Sequence, residues 1–217
     1  MNIFLGYLLT YTYVFLILVI LGILKKKKII KANTSRKLVH ILVGFSWLIM
    51  YYFFKISIHM IILPFTIVIF NFLSYQFNIA QSMEEENKDS MGTIFYALSF
   101  VILATITYFQ PNFYPFYGIG IFSMCLGDGL APIGKKIWKA KIGKTKKTYA
   151  GSFLVFLCTF IVIASFTSYF NLNLNRIKIL ILSFTAIPLE LFSKRGSDNL
   201  TLPIGIAIFA YIIESWI

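Results

Sequence analysis

Long apolar runs separated by short connections define this chain. They fall at about residues 3–24, 38–54, 56–79, 91–109, 114–134, 150–170, 177–192 and 200–217. A hydrocarbon core of about 30 Å takes about 20 apolar residues at 1.5 Å rise each, so each run spans a bilayer or nearly does. None alternates with period 2. Because a lipid-exposed span must satisfy its backbone amides internally, continuous runs of this length predict helices. The pattern predicts an all-α, polytopic transmembrane helical bundle of about eight spans. Residues 1–217 form one integral membrane domain, with no internal repeat and no low-complexity linker.

Composition sharpens this reading. The chain is 59% hydrophobic and 13% charged, with a mean hydropathy of +0.81, whereas roughly a quarter of residues in soluble domains are charged. A separate soluble domain has no room. The net charge of +12 invites a nucleic-acid reading, but basic excess in a polytopic protein reflects Lys and Arg retained in cytoplasmic loops, so no nucleic-acid partner is expected. Cys125 and Cys158 lie inside apolar runs without Cys or His at metal-ligand spacing, and read as packing residues. The first run lacks a basic leader and is followed by Lys25 to Lys28, which suits an N-out anchor better than a cleaved signal peptide.

The connections set the topology. Lys25–Lys37 carries seven basic residues, Lys88 adds one, Lys135–Lys147 carries seven, and Lys194 with Arg195 adds two, seventeen in all. The alternate connections hold Lys55, Arg176 and Lys178. Positive-inside retention therefore predicts the N-terminus outside and all four basic connections in the cytoplasm, the expectation for a bacterial-type cell membrane. Acids follow the same asymmetry: Glu84, Glu85, Glu86, Asp89, Asp128, Glu190 and Asp198 lie at or beside the basic connections, and Glu214 near the far end. Charges of both signs at one face suit a site for a polyanionic nucleotide and a divalent metal.

Four clusters carry candidate chemistry. In Gly127-Asp128-Gly129-Leu130-Ala131-Pro132 a carboxylate closes an apolar run. An Asp at membrane depth costs about 2.5–3.5 kcal/mol on insertion scales, so it needs a partner or a function. The flanking glycines either break the helix or admit a ligand closely. The plainer reading pairs Asp128 with a loop lysine at the interface.

Next come Lys135, Lys136, Lys139, Lys141, Lys144, Lys146 and Lys147, then Thr148-Tyr149-Ala150-Gly151-Ser152 at the head of the following span. Positive-inside retention and attraction to anionic lipid account for much of this charge. Gly151 and Ser152 at a helix N-terminus, with free amides and the helix dipole, favour anion binding as well. Gly143-Lys144-Thr145 looks like the end of a P-loop, but Trp138 stands at its first glycine and no strand precedes it, which excludes a Walker A site.

Ser35-Arg36-Lys37-Leu38-Val39-His40 forms the third cluster. Arg36 and His40 are four apart and share a helix face, where a cation and a titratable imidazole can point into one headgroup-level cavity. A hydrogen-bonded structural role for His40 is the alternative, and His59 reads as structural. The fourth cluster runs from Glu190 to Asn199, with both Glu190 and Asp198 able to face the cavity of Asp128. Its plainer reading pairs Glu190 with Lys194 and caps the last helix with Asp198 or Asn199. Lys88 with Gly92-Thr93 is a weaker element, open to reading as a helix start.

In this order the clusters resemble the polyprenol kinase family of membrane lipid kinases, which includes dolichol kinases, phytol kinases and CTP-dependent diacylglycerol kinases. The elements are Arg36-Lys37-x-x-His40, Lys88 with Gly92-Thr93, Gly127-Asp128-x-x-Ala131, Lys147-Thr148-x-x-Gly151-Ser152, Glu190 and Asp198-Asn199-Leu200-Thr201-x-Pro203. They make residues from about 35 to 205 the catalytic core, with the first span, 3–24, peripheral to it. The resemblance implies a nucleoside triphosphate donor, CTP before ATP, together with Mg²⁺ and a lipid alcohol acceptor such as a polyprenol, phytol or diacylglycerol. The family commonly has Glu before the Gly-Ser pair, where this chain has Ala150; that function is then absent or supplied by Glu190.

Phosphoryl transfer needs positioning and charge neutralisation, which these residues can supply. The expected metal ligands are Asp128, Asp198 and Glu190. The expected nucleotide contacts are Lys37, Lys88, Gly127, Lys144, Lys146, Lys147, Thr148, Gly151, Ser152 and Asn199. Arg36 stabilises the transferred charge, and Asp128 or His40 serves as the base. A homo-oligomer is compatible with this reading. Two alternatives stand beside it: a CTP-dependent, phosphatidate-type cytidylyltransferase, and a proton-coupled transporter or flippase with acids near mid-membrane.

Overall fold

The computed structural model describes residues 2–77, 91–143, 145, 147–193 and 196–216. Among these residues the regular structure is helical: α1 (Ile3–Lys26), α2 (Ala32–Gly44), α3 (Ser46–Phe54), α4 (His59–Phe77), α5 (Gly92–Phe109), α6 (Tyr114–Ile137), α7 (Tyr149–Phe170), α8 (Arg176–Leu191) and α9 (Asp198–Ser215). A 3₁₀ turn, Pro111–Phe113, leads into α6. Polar side chains set several helix starts. Asn2 accepts from the Leu5 amide at 3.3 Å, Thr148 from Gly151 at 3.2 Å and Asn175 from Lys178 at 2.9 Å, each satisfying an amide that has no partner within its helix.

The helices follow the hydrophobic runs, with informative differences at their ends. α2 starts at Ala32, six residues before its apolar run, so Arg36 and Lys37 sit on helix rather than in a connection. It breaks at Phe45 and resumes as α3, between Gly44 and Ser46, where small residues permit a bend. α6 extends to Ile137 and carries Lys135 and Lys136 in its last turn. α9 opens at Asp198 itself.

Among the described residues, six segments are long and apolar enough to cross a bilayer: Ile3–Lys26, Ala32–Phe54 (α2 and α3 together), His59–Phe77, Gly92–Phe109, Pro111–Ile137 and Tyr149–Phe170. The last two helices fall short of that measure. α8 has 16 residues, about 24 Å at the usual rise, and α9 carries Asp198, Asn199 and Glu214 among its 18 residues. Outward-facing Phe4, Phe15, Phe65, Phe109, Phe153 and Phe184 are exposed around the bundle, as expected where the solvent is lipid.

α6 is the central helix and packs against α2, α5, α7 and α9. Phe116, Tyr117, Ile119, Ile121, Met124 and Cys125 are buried along it. Glycines let its neighbours come close, as small residues do in membrane bundles. A side chain at Gly120 would strike the Pro203 carbonyl of α9, and one at Gly134 would strike the Ala150 backbone of α7. α1 lies at the edge, against α2 and α3.

Candidate active site

The site lies at the end of the bundle where α2, α5 and α9 begin, α6 ends and α7 begins. Asp128, four turns into α6, remains within a continuous helix. Its flanking glycines neither break that helix nor open it to a ligand. They admit neighbouring helices instead: a side chain at Gly127 would press on Val155 of α7, and one at Gly129 on Ile41 of α2. The Asp128 carboxylate forms an ion pair with Lys37, a residue of α2.

The 138–148 loop is folded back on itself. Lys141 and Thr148 form an antiparallel bridge, the Ile142 amide donates to the Lys147 carbonyl at 3.1 Å, and the Tyr149 amide donates to the Ala140 carbonyl at 3.2 Å. Gly143 turns the chain at φ +54°, a left-handed conformation that glycine takes without steric cost. The Trp138 and Tyr149 rings stack at 5.9 Å across the loop's ends.

At the close of this loop Lys147 reaches two carboxylates, Asp198 Oδ2 at 2.9 Å and Glu190 Oε1 at 3.0 Å. Burial alone would lower the Lys147 pKa, but Asp198 and then Glu190 outweigh it and hold the ammonium above the ordinary lysine value. Glu190 is almost fully buried, and its other oxygen accepts from the Ser152 hydroxyl at 3.0 Å. Glu190 thus binds residues of the loop and α7. Its expected alternative partner, Lys194, lies outside the described residues, as do Lys88, Lys144 and Lys146.

Two helix-terminus expectations change. The amides of Gly151 and Ser152 are not free for an anion: Gly151 donates to Thr148 Oγ1 at 3.2 Å, and Ser152 to the Thr148 carbonyl at 3.0 Å. Thr148, buried and capping α7, takes the first of them through its side chain. Asn199 does not cap α9. Its amide donates to the Gly92 carbonyl at the head of α5, at 3.0 Å, while its Oδ1 is buried without a partner among the described residues.

Arg36 and His40 share a face of α2, as their spacing predicts. Asp128 and Asp198 both attract the Arg36 guanidinium, and Lys37, Asp128 and Arg36 all act on the buried His40 ring. That ring meets Tyr96 edge-on at 4.6 Å, and the Tyr96 hydroxyl donates to the His40 carbonyl at 2.8 Å. The lysine charge on Lys147 reaches Asp128 as well as Asp198. Arg36, Lys37, His40, Asp128, Lys147, Glu190 and Asp198 are therefore one electrostatic cluster. His59, by contrast, sits against Tyr7, whose hydroxyl is 3.0 Å from Nδ1.

A cluster built from these residues at one end of an apolar bundle can hold a polyanion against carboxylates and cations. Over 145 residues the chain is 35% identical to a phytol kinase of Synechocystis sp., an alignment covering 64% of this chain and 61% of that protein. Over 213 residues it is 24% identical to phytol kinase 1, chloroplastic, of Arabidopsis thaliana, covering 87% of this chain and 69% of the relative. Both relatives are named phytol kinase, and the likeness supports a polyprenol and phytol kinase assignment. The chain spans about three fifths of the length of the Synechocystis relative. No protein-family model and no solved structure matches it.

Within this family reading, the residue that sequence reasoning passed over is Asn71 of α4. It is buried, donates to the Thr93 carbonyl at 3.0 Å, and leaves its Oδ1 without a partner among the described residues. A lone Asn within the run Ile61 to Phe77 was the available signal, because a polar side chain at membrane depth needs a reason to be there.

Proposed function

We propose that this chain is a membrane lipid kinase that moves the γ-phosphoryl group of a nucleoside triphosphate, CTP in preference to ATP, to the hydroxyl of a lipid alcohol at the cytoplasmic face. The observation that carries the proposal is the convergence of Lys147, Asp198 and Glu190 with Asp128, Lys37 and Arg36 at one end of the bundle. The relatives named phytol kinase support the reaction class. The excess of Lys and Arg in the connections at this end supports the cytoplasmic orientation.

The donor set fits a hard divalent ion. Mg²⁺ is usually bound by one or two carboxylates together with substrate phosphates and water. Among the described residues no three His, Cys, Asp or Glu side chains stand together as a ready cage, which suits an ion shared with the substrate. Asp128 and Asp198, paired here with Lys37 and Lys147, would hold it as those lysines turn to the phosphates, while Glu190 also accepts from Ser152. When bound, Mg²⁺ would offset the charge that develops on the phosphoryl oxygens.

The protein's own groups do the rest. Lys147, with Lys144 and Lys146, grips the triphosphate, and Arg36 neutralises the transferred group. Ser152 and Thr148 fix the head of α7 and orient Glu190, which supplies the carboxylate that Ala150 lacks. The alcohol oxygen bonds to the γ-phosphorus as the bond to the β–γ bridging oxygen breaks. The nucleoside diphosphate leaves with that electron pair, and the hydroxyl proton passes to His40.

Purified protein in detergent, given CTP labelled in the γ-phosphate, Mg²⁺ and phytol, is expected to place the label on the lipid. Release of the label in pyrophosphate, with a CMP unit on a phosphorylated lipid, would instead identify a cytidylyltransferase. Transfer without any membrane gradient excludes a transporter.

A further inference from the structure

A cavity of about 350 Å³ opens between α1, α2, α4 and α5. Its two ends differ in chemistry. Val14, Leu18, Val43 and Ile67 give it an apolar body. Arg36, His40, Asn71 and Thr93 line it near the starts of α2 and α5 and the end of α4, the same end of the bundle as Asp128. Tyr11 of α1 and Thr66 of α4 join across it by a hydroxyl contact of 2.6 Å.

Asn71 makes this more than an apolar cleft. It is 5% exposed, and its Oδ1 is a buried acceptor with no partner among the described residues. Leaving such an acceptor unpaired costs about 1–3 kcal/mol. Turned into the cavity that Asn71 lines, it would be satisfied by a ligand that carries one hydroxyl donor on an apolar chain. The volume is near the lower bound of ligand pockets, which run from about 300 to 1,000 Å³, and so suits one chain and not two. Arg36 and His40 belong both to the cavity wall and to the charged cluster, so a hydroxyl held at this end faces the triphosphate side.

We propose that the α1–α2–α4–α5 cavity binds the acceptor as a single-chain lipid alcohol, with Asn71 Oδ1 accepting a hydrogen bond from its hydroxyl before the triphosphate binds and α1 forming the outer wall of the chain channel. The inference rests on the kinase reading of the charged cluster. It excludes two-chain acceptors such as diacylglycerol on grounds of space, and it assigns the peripheral first helix to substrate recognition.

The test uses the full chain in nanodiscs and a tritiated phytol carrying a diazirine near the far end of its chain, irradiated without nucleotide. Adducts are expected on residues 11–15 and 66–67, displaced by excess phytol and not by dioleoylglycerol. Adducts spread over the outer faces of α7 and α8, or equal displacement by dioleoylglycerol, would overturn the proposal. Leu18→Trp and Ile67→Trp fill the channel and should raise the KM for phytol at least tenfold with the nucleotide KM unchanged. Asn71→Leu should weaken phytol binding several-fold. An unchanged phytol KM in both tryptophan variants refutes the channel even if the kinase reading stands. Specific, phytol-displaceable adducts in a protein that transfers no phosphate would retain the channel and refute the kinase.

Discussion

Lys37 and Asp128, 91 residues apart in sequence, form an ion pair that ties α2 to α6. Both side chains are largely buried, with 16% and 10% exposure. At that depth each charge is the other's main compensation, so removing one strands its partner.

Asp128→Asn is therefore expected to lose both activity and stability. Turnover should fall by at least about 10³-fold if the carboxylate serves the transferred phosphate, and the detergent melting temperature by on the order of 10 °C. The double variant Lys37→Met with Asp128→Asn should recover the melting temperature and remain inactive. Wild-type turnover in the double variant would make the pair purely structural.

The alkaline limit of stability should depend on Lys147. Its folded pKa is held above the ordinary value of 10.5 by Asp198 and Glu190, against the opposing effect of burial. A raised folded pKa stabilises fully below the unfolded value, and that contribution disappears as pH rises through the folded one. Melting curves between neutral pH and pH of about 11 should show wild type losing stability above about pH 10.5. Lys147→Met should start lower and lack that alkaline step.

The same lysine should govern nucleotide affinity. Lys147→Ala is expected to raise the nucleotide KM about tenfold or more and leave the KM for phytol near wild type. Lys147→Arg should recover part of the affinity because it keeps the charge. An unaltered nucleotide KM in the alanine variant takes the residue out of the triphosphate site.

Sidedness can be read with one cysteine. Cys125 and Cys158 are buried, so a Thr145→Cys variant should be the main reactive thiol. An impermeant maleimide should label it only in inside-out vesicles, and labelling of intact cells would reverse the topology.

Gly120→Ala should destabilise the bundle by about 1–3 kcal/mol, since the added carbon meets the Pro203 carbonyl, part of the backbone of α9. Thermal melting in detergent measures this. A neutral result would mean that α6 and α9 separate readily.

Helices and their order were legible because hydrophobic runs answer directly to bilayer thickness. The two weakest runs, 177–192 and 200–217, are helices of the bundle but do not meet the length and apolarity of the other six. Clustering of Asp128, Lys147, Glu190 and Asp198 was foreseeable from charge at one face. Partnership was not. Which lysine meets which carboxylate depends on helix rotation and loop folding, and the hairpin-like closure at Lys141 and Thr148 turns Lys147 towards α8 and α9. The glycines beside Asp128 were ambiguous because close approach looks alike in sequence whether the visitor is a ligand or a helix. Asn71 was obscured by its apolar surroundings.

The seam between Gly120 and Pro203 acts as a length standard for the protein. Gly120 lies eight residues before Asp128 on α6, and Pro203 lies five residues after Asp198 on α9, about 12 Å and 8 Å along their respective axes. With two rigid rods pinned at one crossing, the gap between the two aspartates is set by residue counting and not by loop conformation. Inserting a single residue between either aspartate and its pin would throw the gauge off by a fixed step and rotate that carboxylate by about 100°.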